Sequence, residues 1–180
     1  MRTLTLAATA AVLVAIGCSR DSIPTSPPRH ATSHGGAAAR QDDVALDAGT
    51  LQRLARLRAS TARYHDLSTA QAAGFDMEVT GCLDDPAGGM GFHWADLSRF
   101  DATVEETNPE ILVYAPKPGG GVRLVAVEYA VPLTASAVPP QAFGREFHVN
   151  TRFGLWVLHA WVWEPNPSGM FADWNPRVSC

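Results

Sequence analysis

Three histidines of this chain lie in or beside apolar runs: His93 in GGMGFHW, His148 in REFHVN and His159 in WVLHAW. A carboxylate joins them. In VRLVAVEYAV the only charged residues are Arg123 and Glu128, and strict alternation places Glu128 on one face with Val122, Leu124, Ala126 and Ala130. An ionised carboxylate in such surroundings is costly unless it is paired or ligated. Imidazole nitrogens and a carboxylate oxygen are donors that a divalent transition metal such as Zn, Fe, Cu or Mn accepts. With an open coordination position, such a set can polarise water or a substrate. His93, Glu128, His148 and His159 are therefore the candidate metal or small-ligand set. Spacing does not enforce it, because the chain holds no H-x-H or H-E-x-x-H. The opposing reading makes each histidine a satisfied core residue and pairs Glu128 with Arg123, Arg145 or Arg152.

Other chemistries are less well supported. Gly88-Gly89-Met90-Gly91 runs into Phe92-His93-Trp94 without the Lys and Ser or Thr of a phosphate loop. Positive φ or close packing explains these glycines better, and the loop sets His93 at a pocket wall. Ser98 and Ser168 lack a G-x-S-x-G elbow. Asp84, Asp85 and Asp173 are carboxylates in loops, but no twelve-residue calcium pattern surrounds them. Trp94, Trp161, Trp163 and Trp174 have the N–H handles to line an apolar pocket, but such residues are more often simply core. His65 ends a surface helix.

The elements that must position these groups follow from periodicity. LQRLARLRASTARYH, with Thr50 as N-cap, reads as a helix that places Leu51, Leu54, Leu57 and Tyr64 near one face and an arginine stripe on the rest. Asp66 or Ser68 caps a second short helix through Ala73, closed by Gly74. The segment from Gly74 to Trp94 is broken by glycines and reads as mostly loop and short strand. Ile111 to Tyr114 and Val122 to Val131 form a hairpin, and Arg145 to Val149 a further short strand. Phe153 to Trp163 carries no charge and is apolar on both faces, which reads as a strand at the centre of the fold. Alternation puts Leu155, Val157, His159, Trp161 and Trp163 on one of those faces. Helices precede strands, so the expected fold class is α+β, with N-terminal helices packed on an antiparallel sheet and long ordered loops. The expected single globular domain runs from 44 to 180.

The N-terminus suggests a compartment. Met1-Arg2-Thr3, the apolar stretch Leu4 to Ile16 and the ending Ala15-Ile16-Gly17-Cys18 have the form of a secretory signal over residues 1–17 with a lipobox-like close. Cys18 is then the lipidated first mature residue, and membrane attachment runs through that N-terminal lipid. Ser19 after the cysteine points to the outer membrane in a Gram-negative host. Residues 18–43, rich in Pro, Ser, Ala and Gly, read as a disordered tether that contains His30 and His34. Of the three cysteines, Cys82 and Cys180 remain as a pair for an oxidising compartment. Their disulfide closes a loop of nearly a hundred residues, worth roughly 4.7 kcal/mol on the chain-entropy model. The net charge of −4 and the lack of a basic excess make nucleic acid an unsuitable partner.

The blocks GGMGFHW, PEILVY, VAVEYAVP and LHAWVWEPNPSGMFADWNPRVSC resemble a group of exported bacterial proteins of uncharacterised activity. The resemblance covers about residues 60 to 180. It implies that the folded unit is the whole exported domain and that the tether is a variable attachment, and it transfers no mechanism. Three functions stay open: a binding domain with a His/Glu-lined pocket for a small ligand or metal ion, a metalloenzyme (oxygenase-like or hydrolytic) using the same residues, and a structural or interaction module of the cell envelope.

Overall fold

The computed structural model describes residues 46–180. The signal sequence, Cys18 and the tether, with His30 and His34, lie outside the described residues.

Asp47 caps the first helix, α1 (Ala48–Thr61), by accepting from the Thr50 N–H at 2.9 Å. The cap is thus three residues earlier than the sequence suggested, because Asp47 reaches the orphan donors of the first turn while Thr50 is buried inside the helix. Leu54 and Leu57 face the core, whereas Leu51 is exposed. The chain tightens into a 3-10 turn (Ala62–His65) and re-forms as α2 (Leu67–Ala72) under an Asp66 cap. Gly74, at φ +109°, turns the chain out of that helix, as expected of a C-terminal glycine.

The strands are β1 (Met77–Glu78), β2 (Leu83–Asp85), β3 (Gly88–Ala95), β4 (Ile111–Pro116), β5 (Val122–Pro132), β6 (Gln141–Ala142), β7 (Arg145–Glu146), β8 (His148–Asn150) and β9 (Leu155–Ala160). Seven of them form an antiparallel sheet in the order β1-β3-β4-β5-β9-β8, with β2 paired to β3, and β6 pairs β7 separately. The α+β class holds. Among the described residues no helix is long and apolar enough to cross a membrane.

Three details depart from the expectation. The Trp-rich strand β9 is next to the edge strand β8, and β4 and β5 take the centre. β3 is a full eight-residue strand where mostly loop and short strand was expected. Its glycines hid it, and they are required: a Cβ on Gly88 would sit 2.4 Å from the Asn175 backbone, and one on Gly91 would sit 2.3 Å from the Tyr114 carbonyl oxygen. Finally, Leu124 does not share a face with Glu128. The register between β4 and β5 shifts where Val113 pairs Ala126 and Tyr114 pairs Leu124, so a bulge at Val125 sends Leu124 to the opposite side.

The sheet therefore has two differently covered faces. The helices cover one, over Leu112, Tyr114, Leu124, Val127, Tyr129, Leu158 and Val162. Arg58 donates to the Val162 carbonyl at 2.6 Å and stands over Trp163, whose indole N–H reaches Thr61, so this arginine ties helix to sheet while staying exposed. Trp163 joins the helix side because β9 ends at Ala160 and alternation ends with it. The other face carries Ala95, Ile111, Val113, Ala126, Ala130 and Trp161, and the C-terminal tail covers it. Gly89 and Asn175 exchange backbone hydrogen bonds at 3.1 Å, and the Val178 carbonyl also accepts from the Gly89 N–H at 2.8 Å. Cys82 and Cys180 are joined, with their Cα atoms 5.7 Å apart, as the cysteine count implied.

β4 starts opposite Glu128, so the next β5 amide on that edge, Ala130 N–H, has no strand partner. The carboxylate of Glu110, just before β4, accepts from it at 3.0 Å. Burial pushes the Glu110 carboxyl up to about 7, against the lowering effect of the Ala130 hydrogen bond; Asp101 adds to the rise and Arg99 opposes it. The neutral form is thus the one the fold favours. Its stabilisation is fully present below about 4.5 and is lost as pH rises through about 7. Glu110→Gln keeps the acceptor and removes the titration. It should flatten the fall in stability between pH 5 and 8 relative to wild type, by at most about 3 kcal/mol at ~1.4 kcal/mol per pH unit. Denaturant melts across that range read this directly, and identical slopes for the two proteins would refute the assignment.

Candidate metal centre

Glu128 on β5 pairs with His159 on β9 across the sheet. His93 on β3 lies two strands away, with its side chain on the same face, the one the tail covers. All three are buried, at 2% exposure for His93 and His159 and 5% for Glu128. One donor atom from each of the three lies within 4.8 Å of the others. His93 Nε2 is 3.2 Å from His159 Nε2 and 3.5 Å from Glu128 Oε2, and His159 Nδ1 is 3.9 Å from Glu128 Oε1. Donor bonds of about 2.0–2.2 Å to a common ion place neighbouring donor atoms roughly 3 Å apart, so the separations of His93 Nε2 from His159 Nε2 and from Glu128 Oε2 suit one ion.

The partners of the outer nitrogens decide which lone pairs point inward. Thr80 Oγ1 lies 3.0 Å from His93 Nδ1 and donates its own hydrogen to the Gly81 carbonyl, so it accepts from His93 Nδ1–H. That leaves His93 Nε2 as a lone pair facing His159. His159 Nδ1 faces carboxylates only, Asp173 Oδ1 at 3.4 Å and Glu128 Oε1 at 3.9 Å, which favours the hydrogen on Nδ1. Neither His159 Nδ1 nor Asp173 Oδ1 completes a well-formed hydrogen bond, so their contact is electrostatic. Two imidazole Nε2 atoms at 3.2 Å then require a proton or a cation between them.

Electrostatics agree with that requirement. Burial, then the charge on His159, pushes His93 down to about 3. Burial opposes the charged form of His159, but Glu128 and then Asp173 outweigh it and raise its pKa. Burial raises Glu128. Burial also works against ionisation of Asp173, yet His148 and His159 together hold it well below the usual carboxylate range.

His148 does not join the compact set. It sits on edge strand β8, its side chain about half exposed, and its Nε2 meets Asp173 Oδ2 at 3.2 Å. The apolar environment expected for it fails because an edge strand is covered on fewer sides. Asp173, set aside in the sequence as a loop carboxylate, instead links His148 to His159 from the tail. Only its place in the tail between Trp161 and Cys180 could have hinted at this. The salt bridge proposed between Glu128 and Arg123 is absent, because Arg123 pairs with Glu164. Asp84 and Asp85 lie on exposed β2, apart from the set.

The centre lines a cavity of about 280 Å³ with mostly apolar walls, including Val79, Leu97, Phe100, Ile111, Leu155 and Val157. Comparisons with family models, curated proteins and solved structures found no match, so the functional reading rests on this geometry.

The Asp173 hydrogen bond raises His148 above its ordinary 6.5, with burial opposing. Its contribution to stability is therefore full below about 6.5 and is lost as pH rises through the higher folded value. Long-range 1H–15N spectra of the metal-free protein should show His148 titrating above 6.5 and His93 held as the neutral Nδ1–H tautomer from pH 5 to 8. Asp173→Asn should bring the His148 midpoint down. A His93 that protonates within that window would contradict the arrangement.

Proposed function

We propose that the domain binds one divalent transition metal ion through His93, His159 and Glu128 and uses it to engage a small molecule in the adjoining cavity. One observation carries the reading. Two buried imidazole Nε2 atoms lie 3.2 Å apart, with Thr80 at His93 Nδ1 and only carboxylates facing His159 Nδ1, beside the buried Glu128 carboxylate. Such a cluster is costly as pure core, and an ion relieves it. Two imidazoles and one carboxylate are a donor set used by zinc and by non-haem iron.

Asp173 acts here as the group that orients His159 and favours its Nδ1 tautomer, the role outer carboxylates play beside metal-bound histidines. His148 in turn engages Asp173. The second reading, a metalloenzyme of hydrolytic or oxygenase type, draws support from the donor count. Three protein donors leave open positions, as in catalytic sites, whereas structural zinc sites close with four. The envelope-module reading accounts for the facing nitrogens by a proton between them, carried by His159, and metal loading separates it from the other two readings.

The resemblance to exported bacterial proteins and the lipobox-like Cys18 support placement on the cell envelope, outer membrane in a Gram-negative host, by an N-terminal lipid. The Cys82–Cys180 bridge fits an oxidising compartment.

Elemental analysis and calorimetric titration with Zn2+ and, anaerobically, Fe2+ should find one ion per chain. His93→Ala, His159→Ala or Glu128→Ala should abolish binding. Asp173→Asn should weaken it about 10- to 100-fold, and His148→Ala should leave the stoichiometry at one. Absence of metal from wild type under both conditions would sink the proposal. Separately, Cys18→Ser should move the protein from the membrane fraction to the soluble fraction, and an unchanged distribution would refute the lipid anchor.

A further inference from the structure

The cavity beside the centre is lined by a minority of polar groups among apolar side chains. Its polar groups are the three candidate ligands together with Thr80, His148, Asn150 and Asp173, and no Lys or Arg lines it. Phosphate esters and sugars, which need several charged or hydrogen-bonding partners along their length, find none on the apolar walls. The apolar lining continues to the rim, where Leu97 and Phe153 are 50% and 42% exposed. These two side chains come from different parts of the chain, Leu97 after β3 and Phe153 before β9, and both face the same opening. Exposed apolar groups gathered at a pocket mouth are a mark of an apolar occupant.

Size limits that occupant. A cavity of about 150 Å³ holds benzene, so about 280 Å³ takes a substituted ring or a short branched chain. Charge limits its head. A divalent ion with the single carboxylate Glu128 retains one positive charge, and Asp173 is already engaged by His148 and His159. Arg152 stands over the Phe153 ring at 5.4 Å, adding positive charge near the entrance without lining the cavity.

We infer that the pocket takes a small monoanionic molecule with an apolar body of about one ring, its anionic oxygen head directed to the open side of the metal centre and its body against the β3–β4 and β8–β9 walls. This rests on the metal reading above. It goes beyond it by naming the ligand class.

The full-length protein loaded with Co2+ gives a visible spectrum that reports on the centre, and three probes separate the parts of the inference. Benzoate carries head and ring, acetate the head alone, and benzamide the ring without charge. Benzoate should shift the Co2+ bands and bind at least tenfold more tightly than acetate or benzamide. Phe153→Ala, at the mouth and outside the donor set, should weaken benzoate several-fold and leave acetate unchanged. Equal affinity for benzoate and acetate would overturn the apolar-body half of the inference. Equal affinity for benzoate and benzamide would overturn the anionic-head half. If Co2+ binds and benzoate leaves its spectrum unchanged, the ligand class is wrong while the metal reading stands. If Co2+ does not bind, both fall together.

Discussion

The far face of the sheet depends on how closely the C-terminal tail approaches β3. Backbone meets backbone there: Gly89 pairs with Asn175 and also donates to the Val178 carbonyl, and neither Gly88 nor Gly89 has room for a Cβ. Any side chain at these glycines would push the tail outward, lifting Val178 from the apolar cluster and Asp173 from His159. Asn175 is fully buried and holds the turn by accepting from the Arg177 N–H, while the disulfide fastens the end at Cys180. A tail without regular secondary structure is thereby fixed to β3 by backbone hydrogen bonds and to Cys82 by the disulfide.

Given that cover, the polar groups beneath it become intelligible. The helix side of the sheet is filled with aliphatic and aromatic residues, with tyrosine hydroxyls reaching backbone carbonyls at its margins. The tail side is thinner, built on alanines, valines and Trp161, and there the chain places two histidines and a carboxylate. Sheets with one well-filled face tolerate a weaker second face, and that is where local stability can be exchanged for binding. The core of the domain survives an imperfect site because the two faces share only the backbone of the strands between them.

Much of this was legible before the fold was known. His93, Glu128 and His159 stood out because each is titratable within an apolar run, and period-two alternation needs no knowledge of neighbours. His148 stood out by the same rule and was misread, since alternation says which way a side chain points but not whether its strand is an edge. Asp173 escaped for the opposite reason. It lies in an irregular segment of Trp, Asn, Pro and Gly, and its meaning depends on where the tail lands, a long-range contact that no local pattern encodes. β3 was hidden for a related reason: its glycines look like loop, yet they are there to admit another stretch of backbone. The bulge at Val125 moved Leu124 to the other face, because one extra residue inverts the alternation on one side of it.

The order in which the chain emerges has a consequence for the centre. His93 and His159 are 66 residues apart, and the bridge that fastens the tail spans 98. Contacts of this separation form late, after the nearer hairpins are in place. Asp173 reaches His159 only after the strands that carry the centre have been followed by the tail, and the bridge closes later still, at Cys180. The bridge fastens the tail that carries Asp173, so reduction of the cysteines loosens the cover over the centre while His93, Glu128 and His159 stay on their paired strands.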